Sequence, residues 1–225
     1  MAQSKPNKRR SRGRPRTQLN RERILLAAAE LADQNGIETL SMRKLAQSLN
    51  VEAMSLYNHV KNKEDMFDGM VEFVVSKIQC PSLQGNWKDE MRIRAQSAHQ
   101  VLVRHPWATS LLVSRVNIGP NMLRYVDATI GCLRQAGFSY EMVDRAWNAI
   151  DSHIYGFTLQ SLNFPFEPDE YSDVAEEYLP QIPETEYPFL NALSQQIIEG
   201  EHDGVQEFNF GLELLLDGLE RMLEE

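Results

Sequence analysis

Long apolar runs are missing from this 225-residue sequence. No stretch approaches the roughly 20 consecutive apolar residues that a bilayer-spanning helix needs. The N-terminus is basic but has neither the apolar segment nor the cleavage site of a secretory signal, so a soluble, cytoplasmic protein is expected. Cysteine is scarce as well. Cys80 and Cys132 stand far apart with no CxxC or Cys/His spacing, which argues against a disulfide framework or a zinc site and fits two small core residues. HExxH, GxSxG and Gly-rich phosphate loops are all absent, so nothing signals a metal, a cofactor or a catalytic nucleophile. His99/His105 and Asp151/His153 are the only pairs suggestive of acid–base chemistry, and an enzyme is not expected. Period-two alternation is missing over any useful length, which points to an all-α fold.

What the sequence does have is a lopsided charge. The net value is −9, unpromising for a partner of nucleic acid, but the average hides two halves of opposite sign. Residues 1–80 hold 14 Lys and Arg against nine Asp and Glu, whereas residues 81–225 hold nine against 23. One end is suited to a polyanion and the other to staying away from it. The first 19 residues are polar and basic, lack apolar periodicity and read as a disordered arm. Within it, Arg12-Gly13-Arg14-Pro15-Arg16 resembles an AT-hook core. Arg12, Arg14 and Arg16 either lie in an A/T-rich minor groove or only add phosphate affinity.

Four short helices are expected between residues 20 and 80. Ile24, Leu25, Ala28, Leu31 and Ala32 share one face of the first, and Gly36 ends it. Ser41 caps the second, which carries Leu45, Ala46 and Leu49 on one side. Asn50 and Val51 turn the chain into a third helix reaching about Val60. Asn62 caps a fourth, where Glu64 and Asp65 suit the positive end of the helix dipole. Asn50 stands where the chain needs positive φ, which Asn tolerates. Leu45, Leu49, Val51, Leu56 and Val60 then form a shared mini-core. Met54, Ser55, Asn58 and His59 remain on an outer face shaped for a major groove, which is helix-turn-helix geometry.

The segment Ile24–Val74 resembles the head of the TetR family. Leu56-Tyr57-Asn58-His59-Val60-Lys61-Asn62-Lys63-Glu64-Asp65 is similar to that family's recognition-helix signature, although Asn50 and Glu52 stand where many members have Gly and Ser. His105-Pro106-Trp107, Gly119-Pro120-Asn121, Gly137-Phe138 and Tyr155-Gly156-Phe157 are similar to the C-terminal domain of the tetracycline-repressor-like branch. The resemblance implies a ligand-responsive repressor that binds a palindromic operator as a homodimer. It implies base or backbone contacts from Ser41, Arg43, Ala53, Met54, Ser55, Asn58 and His59, and phosphate clamps at Tyr57 and Lys63.

Beyond a linker at 81–85, residues 86–225 are expected to form an effector-binding and dimerisation domain. Its helices are expected at Trp87–Arg104, Pro106–Ser114, Pro120–Ala136, Tyr140–Leu162, Phe189–Glu199 and Val205–Glu224. The acidic stretch Phe166–Tyr187, with eight acids and no base, is expected to be a loop. Val205, Phe208, Leu212, Leu215, Leu216, Leu219, Met222 and Leu223 form an apolar stripe that, with the helix from Tyr140, would build a four-helix bundle across a two-fold axis. Gly156 inside that helix suggests close backbone packing. His99, Trp107, Asn117, Met122, Tyr125, Trp147, Asp151 and His153 are the candidate lining of a small-molecule pocket. The magnesium–tetracycline site does not carry over, because its metal-binding histidines are replaced by apolar residues around Ile78 and Leu112.

Overall fold

The computed structural model describes residues 18–167, 170–201 and 207–224. Among these are eleven α-helices and no strand, as the missing alternation requires. The first four are α1 (Arg21–Asn35), α2 (Met42–Leu49), α3 (Ala53–Leu56) and α4 (Lys63–Val75). Their starts are local chemistry. Side-chain oxygens of Asn20, Ser41 and Asn62 accept hydrogen bonds from the backbone N–H of Arg23, Lys44 and Asp65, serving donors that have no partner inside the helix. α2 ends on Asn50 at φ +54°, with Asn50 N–H donating to Gln47 C=O and Val51 N–H to Ala46 C=O. This paired closure reverses the chain within two residues and sets the sharp crossing of α2 and α3.

Ile24, Ala28, Leu40, Leu45, Leu56, Val60, Met66 and Met70 are buried in the core between these helices, with Leu49 and Val51 half-buried at its edge. One polar clamp closes the bundle. Arg21 donates to both carboxylate oxygens of Asp65, at 2.9 and 2.8 Å, and to the His59 carbonyl at 3.0 Å. Asp65 also accepts Lys61 N–H at 2.7 Å. These contacts hold the chain off the helical path after His59. The third helix is shorter than expected: its α-helical turn ends at Leu56, and a tightened turn carries Tyr57 to His59.

The remaining helices are α5 (Trp87–Arg104), α6 (Pro106–Ser114), α7 (Pro120–Gln135), α8 (Tyr140–Leu162), α9 (Tyr171–Tyr178), α10 (Pro188–Ile198) and α11 (Phe208–Glu224). α5, α7, α8 and α11 pack on one another. The acidic stretch is not the loop its charge suggested. Tyr171, Val174 and Ala175 recur at helical spacing among the acids, and α9 packs on α10 while Phe164 stacks on Tyr171. The α11 stripe divides. Phe208, Leu212, Leu216 and Leu219 are buried within the chain, whereas Leu214 and Met222 are about 60% exposed. Val205 lies outside the described residues. Gly156 also differs from expectation: among the described residues nothing stands within 4 Å of where its β-carbon would be, so they give no close packing to explain it.

α4 is shared between the two groups of helices. α7 begins at Gly119-Pro120, which has no side chain able to cap it. Glu72 of α4 does so from across the junction, accepting Asn121 N–H at 2.8 Å and Met122 N–H at 3.0 Å. A β-carbon on Gly119 would stand 2.2 Å from the Glu72 carboxyl carbon, so the glycine makes room for the cap. Arg115 binds Glu64 and, at 2.7 Å, Asp68 on the same helix. Asp33 near the end of α1 accepts from Trp107 Nε1 at 2.6 Å and pairs with His105 Nδ1 at 2.9 Å.

Two measurements test these contacts. Glu72→Ala removes two charge-assisted hydrogen bonds and is expected to cost about 1.5–3 kcal/mol in chemical denaturation; Gly119→Ala should lose comparable stability although it adds only a methyl group. The second concerns Asp65, whose carboxyl is held below its usual range, chiefly by the hydrogen bond from Arg21. A depressed folded-state value stabilises the fold above the unfolded carboxyl's pKa of about 3.9. The destabilisation caused by Asp65→Asn should therefore be full at neutral pH and shrink as pH falls below about 4.

Candidate functional site

The surface of α2 and α3 opposite their core is polar and cationic. Leu45 and Ala46 point inward, which turns Arg43, Lys44 and Gln47 outward. On α3 and its continuing turn, Leu56 is the buried anchor, while Met54 is 74% exposed and Tyr57 44% exposed. Asn58, Lys61 and Lys63 are exposed too, and Ser41, Ala53, Ser55 and His59 are half-buried at the edges. The Ser41 hydroxyl accepts Lys44 N–H at 3.2 Å and keeps its own hydrogen for an outside acceptor. Lys63 Nζ lies 5.1 Å above the Phe67 ring, which restrains it beside the N-terminal end of α4. Arg12, Arg14 and Arg16 lie outside the described residues. Lys44 and Lys61 share the exposed surface but were not singled out in the sequence, although Lys61 belongs to the signature that drew attention to Tyr57 and Lys63.

The eight candidate pocket residues fall into three places. Tyr125, Trp147 and Asp151 surround Arg94 of α5, which sequence reasoning passed over. Arg94 is fully buried, and its Nη2 donates to Asp151 Oδ1 at 2.6 Å. Trp147 Nε1 donates to Asp151 Oδ2 at 2.7 Å, and Tyr155 donates to the same oxygen at 3.3 Å. Arg94 stays protonated: burial opposes the charge, the Asp151 carboxylate supports it, and the net shift is upward.

His99 and His153 form a second group around Phe208. The His99 ring stacks on Phe208 with centroids 4.3 Å apart and its Nδ1 pairs with Thr158, while His153 Nε2 meets the Phe208 carbonyl. Burial, then the neighbouring His153, lowers the His99 pKa. The rest stand at the junction with α1 and α4. Trp107 is committed to Asp33, Asn117 donates to the carbonyls of Leu112 and Arg115, and the backbone of Met122 serves Glu72. Asn117 also lines a groove of about 440 Å3 between α1, α4 and the α6–α7 turn, together with Arg21, Leu25, Glu72 and Ile118. No group of three metal-binding side chains occurs among the described residues, and no described helix is long and apolar enough to cross a membrane.

Known proteins share both halves of this architecture. Residues 24–70 match the family of bacterial regulatory proteins called tetR, and residues 81–223 match the tetracyclin repressor-like C-terminal domain. An HTH-type transcriptional regulator of Saccharopolyspora erythraea is 36% identical over 139 residues, spanning 61% of this chain and 59% of the relative. The class D tetracycline repressor of Escherichia coli is 32% identical over 91% of each chain. The crystal structure of the Streptomyces coelicolor TetR family protein ActR in complex with actinorhodin is similar over 93% of this chain and all of that one, with a TM-score of 0.77 and 27% identity. The exposed helix-turn-helix surface and the two family matches lead to one assignment: the chain belongs to the tetR family of bacterial regulatory proteins and is a DNA-binding transcriptional regulator.

Proposed function

We propose that this regulator is a ligand-responsive repressor, acting in the cytoplasm as a homodimer whose two heads, residues 20–80, enter successive major grooves of a palindromic operator. The observation that carries this reading is the exposed α3 surface. Met54, Asn58 and His59, with Ser55 and Ala53 beside them, face the base edges, and Arg43 approaches from α2. Tyr57, Lys63 and Ser41 hold phosphates, which fixes register and orientation but carries no sequence information. Arg12, Arg14 and Arg16 add minor-groove or phosphate contacts. The acidic body, residues 86–225, stays away from the duplex.

Support for the two-fold partner comes from the outer face of α8 and α11. Met142, Arg145, Ala149, Leu214, Leu215 and Met222 line an open apolar groove of about 310 Å3. Gly156 and Gly218 on these helices have nothing within 4 Å of a built β-carbon, which leaves space for a second backbone. A single head also reads too few base pairs for useful specificity. The effector reading is supported by the tetracycline repressor's name and by ActR's complex with actinorhodin. An effector held between α5, α7 and α8 reaches the head through the Glu72 cap on α7. Ligand and operator then favour different geometries, and each weakens the other to the same extent.

Binding measured on operator DNA selected from a random pool tests the interface. Lys63→Ala should weaken binding on all sequences and lower the salt slope by about one, as expected for a lost phosphate contact. Tyr57→Ala should weaken binding across sequences too; undiminished affinity in both variants would sink the assignment. The dimer is tested by light scattering. Leu214→Glu combined with Met222→Glu should give a monomer with weakened operator binding, and a monomeric wild-type protein would refute the two-fold model.

A further inference from the structure

Arg94 is the largest fully buried side chain among the described residues, and its hydrogen bonding is incomplete. Nη2 is served by Asp151, and the guanidinium stands over Tyr125 with its central carbon 4.7 Å from the ring centroid. Nε and Nη1 have no acceptor within reach among the described residues. A guanidinium is donor-only and cannot shed its charge, so these N–H groups have to be satisfied from outside the chain or carried at a cost. No neighbour is equipped to help. Asp151 already takes three donors, from Arg94, Trp147 and Tyr155. Thr129 and Thr158 are turned back onto the carbonyls of Tyr125 and Ile154. Burial pushes the phenols of Tyr125 and Tyr155 well above their ordinary range, so they bring no negative charge.

Trp147, Asp151 and Tyr155 lie one helical turn apart on α8, and all three are half-buried. Asp151 links this partly accessible strip of α8 to the buried Arg94 cation. We propose that the effector is a small organic acid, and that its carboxylate is the acceptor for Nε and Nη1 of Arg94 against the aromatic walls of Tyr125, Trp147 and Tyr155. This rests on the reading of the body as the effector domain and names the ligand's chemistry within it. An anionic oxygen is the fitting partner because hydrogen bonds between two charged groups are the strong ones. The single carboxylate present is divided among three donors, which leaves a positive field at the two unserved nitrogens.

The test uses the full chain and matched probes: benzoate, 2-naphthoate and anthracene-2-carboxylate, each against its own neutral amide, by titration calorimetry. At least one acid should bind about tenfold or more tightly than its amide. In Arg94→Gln that ratio should fall to about one. Removing a buried cation leaves Asp151 alone, so Arg94→Met combined with Asp151→Asn removes both charges together and serves as the second variant. A cooperative melt establishes that each variant is folded, and the wild-type comparison stands without either. The proposal is overturned if no acid outbinds its amide in the wild-type protein, or if the preference survives in a folded variant. Operator binding of the same wild-type preparation scores the regulator reading separately. Acid selectivity without operator binding would remove that reading and leave the site, and the opposite result would remove only the site.

Discussion

The position of the DNA-facing surface depends on the Glu72 carboxylate at the start of α7. The first amides of a helix lack partners and carry partial positive charge, and α7 opens on a glycine and a proline that supply no cap. The carboxylate that satisfies them belongs to α4, whose other side is packed into the head through Met66, Met70 and Val74. A helix-end requirement of the body is thus met by the head, and neither group of helices is fully satisfied without the other. Arg115 adds a second fastening on Glu64 and Asp68, two turns and one turn before Glu72 along the same helix. Such a junction is suited to transmission, because a shift of α7 changes the partner on which α4 is seated.

The body shows a parallel division between what is complete and what is not. Around Phe208, His99 and His153 each have a defined partner and stacked rings, which makes that cluster part of the packing. Around Arg94, the donors exceed the acceptors. Buried polar groups in folded proteins are nearly always satisfied; among the described residues Thr109 Oγ1 shares the lack of a partner, but only Arg94 carries it on a charged group. The outer face of α8 and α11 is the apolar counterpart: Leu214 and Met222 are about 60% exposed, and among the described residues nothing stands within 4 Å of a built β-carbon on Gly156 or Gly218.

Features fixed by neighbours in sequence were legible in advance. The caps at Ser41 and Asn62, the positive φ of Asn50 and the stop at Gly36 are contacts over three or four residues, and residue type specifies them directly. What sequence missed depends on distant partners. The third helix stops at Leu56, short of the expected Val60, and the His59 carbonyl beyond it is taken by Arg21, 38 residues earlier in the chain. α9 was hidden because its acids obscure a stripe of Tyr171, Val174 and Ala175 that becomes visible only against α10. The indole N–H of Trp107 is claimed by Asp33 of α1, 74 residues earlier, a pairing that residue type does not announce. Arg94 was passed over for the opposite reason: arginine is ordinarily a surface residue, and nothing local announces one buried under Tyr125.

Asp33 has a geometric consequence of its own. It ties the C-terminal end of α1 to His105 and Trp107, whereas Arg21 at the other end holds the turn that carries Tyr57 to His59. α1 is therefore an arm about 22 Å long, pivoted on the body and loaded at its tip. A swing of about 5° at the pivot carries the tip roughly 2 Å, far enough to break hydrogen-bond register with a rigid duplex while every internal contact of the head stays intact.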